Sequence, residues 1–72
     1  MLNVKGGYMK RYNLINARKN AGLTQVQLAE KIHISTRYYQ DLEYGTSNGN
    51  LKTWQKLKQV LNKPIDYLSN QE

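Results

Sequence analysis

The sequence contains no cysteine. No disulfide can staple the chain, and no thiolate can hold a metal or act as a redox centre. Histidine occurs once, at His33, and there are five acids, which excludes an ordinary His-based zinc centre. No metal and no cofactor are expected. No apolar run approaches the roughly 20 residues needed to cross a bilayer, and the start shows no signal-peptide pattern. The expectation is therefore a soluble cytoplasmic protein with no membrane partner. No nucleophile–base pair and no phosphate-binding glycine loop is present, and His33 has no evident partner. Neither an enzyme nor a small-molecule substrate is expected.

Acid is the scarce charge. Eleven basic residues against five acidic ones give a net charge of +6 and a pI near 9.7. That range goes with nucleic-acid partners. The excess is uneven. Residues 1–20 carry Lys5, Lys10, Arg11, Arg18 and Lys19 without an acid, and residues 51–63 carry Lys52, Lys56, Lys58 and Lys63 without an acid. Between them the chain is near neutral, with Glu30, Asp41 and Glu43 against Lys31 and Arg37. Two basic wings around a near-neutral element suit phosphate contacts that flank a groove contact. The plainer reading is solubilising charge. At 72 residues the chain is one small domain with a modest core.

The organising stretch runs from Thr24 to Gly45. Thr24 and Gln27 have the spacing of a capping box. Leu28, Ala29 and Ile32 then form one helical face. His33 stands where a tight turn belongs, and His tolerates positive φ. Ile34 is a buried plug before Ser35, the next N-cap. Tyr39 and Leu42 mark the inner side of the second helix. Thr36, Arg37, Tyr38, Gln40 and Asp41 are left on its outward or lateral faces, and Gly45 closes it.

Around that pair, the spacing predicts a first helix over 10–20, with Leu14, Ala17 and Ala21 facing inward and Gly22 as its stop. Leu23 then drops into the core. Residues 1–9 form an arm, jointed at Gly6-Gly7, that reads as a disordered tail or as a basic reach into a minor groove. The loop TSNGN after Gly45 either holds phosphates or simply connects. A fourth helix over 51–61 carries Leu51, Trp54, Leu57 and Leu61 on one stripe. Trp54 on that stripe reads as core; the other reading is a stacking platform. Asn62 accepts the left-handed conformation at its end. Pro64 opens a short fifth helix, with Ile65 and Leu68 inward and Tyr67 near the edge. The domain spans 10–69, with the motif over 25–44 and a tail over 70–72. The fold class is all-α, a compact five-helix domain.

These residues resemble the Cro/C1-type, or XRE, helix-turn-helix family of phage and bacterial regulators. The resemblance runs from about Tyr12 to Leu68. It rests on Arg18 four before Gly22, GLTQ at 22–25, LAEK at 28–31, IS at 34–35, LEYG at 42–45 and VLNKPIDYL at 60–68. The chain departs from the family's usual residues at His33 and Asn62 for Gly, Tyr39 for a smaller aliphatic, Gly49 for Pro and Lys58 for Ala.

The resemblance implies a lambda-repressor-like DNA-binding fold and a bacterial or phage origin. It implies that Gln25 binds phosphate, that Thr36, Arg37 and Asp41 reach base edges, and that Tyr38 serves backbone or thymine methyl. It also implies that Arg18 and Glu43 form an internal ion pair. Further phosphate contacts are expected at Thr24, Ser35, Gln40, Tyr44 and Asn48. Arg37 suits a guanine edge, with phosphate as its other reading. Asp41 suits a cytosine amino group or a pairing with Arg37 four residues earlier. Tyr38 and Tyr44 are phosphate donors or a half-exposed aromatic rim. The expected function is sequence-specific binding of double-stranded DNA by a transcriptional repressor. The expected complex is a homodimer on a palindromic operator, with Ile65, Tyr67 and Leu68 at the dimer surface. The alternatives are a protein-interaction module or an antitoxin-type partner protein built on the same fold.

Overall fold

A helix leaves its first backbone N–H groups without partners, and three of this chain's helices begin where a side chain supplies one. The computed structural model describes residues 9–71. The arm expected over 1–9 therefore lies outside the described residues except for Met9, as does Glu72 of the tail. Five helices follow: α1 (Tyr12–Asn20), α2 (Gln25–Lys31), α3 (Thr36–Tyr44), α4 (Leu51–Leu61) and α5 (Ile65–Ser69).

The Thr24 hydroxyl accepts from the Gln27 N–H at 3.0 Å, while the Gln27 side chain accepts from the Thr24 N–H at 2.9 Å. Ser35 accepts from the Tyr38 N–H at 3.0 Å, and Asn50 from the Thr53 N–H at 2.9 Å. Each such cap stabilises its helix by about 1 kcal/mol. The turns depend on left-handed residues. His33 lies at φ 62° and Asn62 at φ 58°. Both types tolerate that region better than most non-glycine residues. Gly45, at φ 83°, has a second reason to be glycine: a Cβ there would stand 2.1 Å from the Met9 carbonyl oxygen.

Helix α1 packs on α3 and α5, α2 packs on α3, and α4 packs on α5. Leu14, Leu28, Tyr39, Leu42, Leu57 and Leu68 are fully enclosed between them. Trp54 is buried at the edge of this core, and its indole N–H donates to the Asn48 carbonyl at 2.9 Å. Leu23 and Ile34 pack against the core while half-buried, so Ile34 is a partial plug.

Four expectations need correction. Leu51 is 65 % exposed. It is the first residue of α4, beyond the core's edge, and the inward places of that turn belong to Thr53 and Trp54. Ala21 is exposed because α1 ends at Asn20 and Ala21 already belongs to the turn. Leu68 is 0 % exposed and cannot contribute to a dimer surface; α1 and α4 both pack against its short helix. Finally, α1 begins at Tyr12 rather than at residue 10, because Arg11 is engaged elsewhere.

Candidate nucleic-acid interface

Helix α3 has two unlike sides. Its inner side buries Tyr39, Leu42 and Glu43. A buried carboxylate is costly unless paired and hydrogen-bonded. Glu43, 1 % exposed, is supplied on both oxygens. Arg18 Nε lies 2.6 Å from Oε2 and Arg18 Nη2 3.4 Å from Oε1, while Gln25 Nε2 donates to Oε1 at 2.9 Å. The Tyr39 hydroxyl also donates to Oε2. Arg18 completes its own set by donating to the Leu23 carbonyl at 2.8 Å. Burial lowers the affinity of Arg18 for its proton, but the hydrogen bond and charge of Glu43 outweigh burial and leave it raised. Burial, then the neighbouring Glu43 carboxylate, pushes the Tyr39 hydroxyl well above the usual phenol range. The network joins α1, α2 and α3, so it fixes how α3 sits on the body of the domain.

The outer side begins at the Ser35 cap. Ser35 and Arg37 are exposed, and Thr36, Tyr38, Gln40 and Asp41 are half-buried. The Arg37 side chain is 84 % exposed and reaches Asp41 one turn on at 3.4 Å. Such an exposed pair contributes at most a few tenths of a kcal/mol, ~0.3–0.5. Asp41 also accepts from the Thr46 hydroxyl at 3.1 Å, which ties the helix to the loop beyond it. Tyr38 has part of its ring packed against the core.

The structure brings Gln25 and Gln40 together: Gln40 Nε2 donates to Gln25 Oε1 at 3.2 Å. Both ends of the Gln25 amide are thus held by protein partners. Thr24 is exposed at the start of α2. Tyr44 and Asn48 are exposed at the far end of α3 and in its following loop, well separated along the chain from the α2 group. Tyr67 is 38 % exposed and Ile65 half-buried, while Leu68 belongs to the core.

The sequence counts Arg11 in a basic wing that serves either phosphate contacts or solubility, and the structure buries it at 3 % exposure. Its guanidinium donates to the carbonyls of Leu42 and Ser47, each at 2.7 Å, and of Ser69 at 3.0 Å. It also lies over the Trp54 ring, 5.1 Å from the centroid. The acceptors are main-chain carbonyls 31, 36 and 58 positions away, so no local pattern marks the residue. Arg18 is likewise removed from the wing. Lys10 and Lys19 remain exposed there. In the other wing, Lys56 donates to the Ile32 carbonyl at 3.2 Å.

A capped helix, a turn at His33 and a second capped helix with one buried and one open side define a helix-turn-helix domain. The helix-turn-helix family model matches residues 14–68. The chain belongs to this family, in its Cro/C1-type (XRE) form. A comparison with curated proteins finds no match. Among solved structures, the chain is similar to the restriction-modification controller protein C.AhdI from Aeromonas hydrophila. Identity is 28 %, the TM-score is 0.70, and the match covers 78 % of this chain and 85 % of that one. It shares its fold with the hypothetical transcription factor NHTF from Neisseria at 19 % identity and a TM-score of 0.71, over 99 % of this chain and 89 % of that one. Among the described residues, no helix is long and apolar enough to cross a membrane, and no cluster of potential metal ligands occurs.

Proposed function

We propose that this protein is a sequence-specific regulator of transcription that represses by occupying double-stranded DNA. In this reading the open side of α3 enters the major groove. The observation that carries it is the division of α3: Tyr39, Leu42 and Glu43 are locked into the body while Arg37 stands exposed on the opposite side, held only by the surface pair with Asp41. Arg37 reads a guanine edge, releasing Asp41 as it does so, and Thr36, Tyr38 and Asp41 complete the base contacts. Thr24, Gln25, Ser35, Gln40, Tyr44 and Asn48 face the phosphates on either side. Gln25 exchanges its protein partners for phosphate only if the bond to Glu43 or Gln40 opens. Membership of the helix-turn-helix family and the likeness to a controller protein support a regulatory role. The same reading places its work in the cytoplasm, where bacterial or phage DNA is found.

One α3 reads too few base pairs for a selective site. Two copies that set their α3 helices about 34 Å apart would meet successive major grooves, one helical turn of DNA. The reading is therefore a homodimer on a palindromic operator, joined through Ile65 and Tyr67.

Selection of binding sites from random duplexes tests this directly. The expected result is a palindrome with half-sites one turn apart, bound two protomers at a time, with affinity falling steeply as salt rises. A single protomer bound stably to the palindrome in sedimentation overturns the dimer. Absence of DNA binding at low salt overturns the whole reading and favours a protein-interaction module.

A further inference from the structure

We propose that Arg11 is a positioning residue for DNA, holding Lys10 with Tyr44 and the loop around Ser47–Asn48 as one phosphate-binding edge at the trailing end of α3. This inference rests on the DNA-binding reading above and adds two residues that the reading does not use.

Three observations combine. First, the segment before α1 is pinned across the end of α3. The Arg11 N–H donates to the Glu43 carbonyl at 2.8 Å, and the Met9 carbonyl lies against Gly45, where a Cβ would meet it at 2.1 Å. Second, that pinning brings the exposed Lys10 to Tyr44, with its ammonium 5.9 Å from the ring centroid. An exposed ammonium and an exposed tyrosine on one edge are both groups that can contact a phosphate oxygen. Third, the Arg11 guanidinium grips the Ser47 carbonyl, next to exposed Asn48, and the Leu42 carbonyl in the last turn of α3.

Electrostatics give the arrangement its purpose. The carboxyl end of a helix carries partial negative charge and repels phosphate. Arg11 covers a carbonyl at that end with a buried cation, and Lys10 adds an exposed one. Arg11 therefore sets the direction of Lys10 through its main chain and that of the loop through its guanidinium, and the buried guanidinium anchors the residue that carries both. Its planar fork and several donors hold carbonyls from separate elements at once, which an ammonium cannot do with the same geometry.

The test is a salt titration of the full chain on its selected duplex, with Lys10→Gln, Arg11→Lys and the unaltered protein. Each lost phosphate contact reduces the slope of log affinity against log salt by about 0.9. Lys10→Gln, an exposed change, is expected to keep its melting temperature and lose about one unit of slope. Arg11→Lys keeps the net charge. At a temperature where circular dichroism shows it folded, it is expected to lose at least about one unit of slope. Base preference at the position read by Arg37 should stay unchanged. A purely structural Arg11 would lower the melting temperature and leave the slope alone. A folded Arg11→Lys protein with the unaltered slope overturns the inference. So does a Lys10→Gln protein with the unaltered slope, which decides the matter if Arg11→Lys does not fold. In both cases the unaltered protein still binds its duplex, so the DNA-binding reading survives. If the unaltered protein binds no DNA at low salt, that reading fails and takes this inference with it.

Discussion

The two sides of α3 use the same kinds of residue for opposite purposes. On the inner side an arginine–carboxylate pair, Arg18 with Glu43, is buried and joined by Tyr39 and Gln25. On the outer side another such pair, Arg37 with Asp41, is loose and wet. The first is costly to break because each partner is desolvated. The second costs almost nothing to open, which leaves its guanidinium available to a ligand. Burial, not residue type, separates a structural pair from one left open to a ligand.

Changes on each side should therefore have separable effects. The largest is expected for Arg18→Met, which strands the Glu43 carboxylate inside the domain. Loss of about 3–5 kcal/mol is expected, much of what a small domain possesses, and urea unfolding measures it. An unchanged midpoint would erase the contrast between the sides. Next comes Arg37→Ala. Its stability should stay within about 0.5 kcal/mol of the unaltered protein. Its affinity should drop by about 1–3 kcal/mol, with preference relaxed at one base pair of each half-site. Competition binding with single-base operator variants reads this out.

A third change sharpens the inner side alone. The Tyr39 hydroxyl is raised in the folded state. Its contribution is fully present below the unfolded phenol value of about 10. Above that pH the unfolded chain loses the proton while the folded one retains it, so stability declines by up to about 1.4 kcal/mol per pH unit. Tyr39→Phe should cost about 1 kcal/mol near neutrality and abolish this part of the alkaline decline. Thermal melts from pH 8 to 11 compare the two proteins. The smallest effect is expected at the border. Gln40→Ala removes the bond to Gln25 and should shift stability by less than about 1 kcal/mol. Its effect on affinity should be smaller than that of Arg37→Ala in the same titration.

What the amino-acid order disclosed, and what it hid, follows from the range of each interaction. Caps and turn residues act over three or four positions. Thr24 with Gln27, Ser35, Gly45 and Asn62 are therefore readable, and with them the extents of α2 and α3 and the end of α4, whereas the Asn50 cap that starts α4 is not picked out from its polar loop. The Arg18–Glu43 spacing came from family resemblance, since nothing local joins residues 25 positions apart. Leu51 fitted a helical stripe, but periodicity cannot say that the core stops one turn short of a helix end. By sequence Leu68 fits both the core and the surface, because a five-residue helix is too short to fix its own exposure. Arg11 was hidden most completely. A basic residue in a basic stretch gives no sign that distant carbonyls will enclose it.

The span of the Arg11 contacts bears on how the chain comes together during synthesis. Its guanidinium must meet Ser69, 58 positions later, and α1 must meet α5. Helix α1 is thus made well before α5, and the part of its packing that depends on α5 waits for that helix. Helices α1, α2 and α3 can therefore join through Arg18, Gln25 and Glu43 before α5 exists, and the Arg11 side chain is completed only when Ser69 arrives.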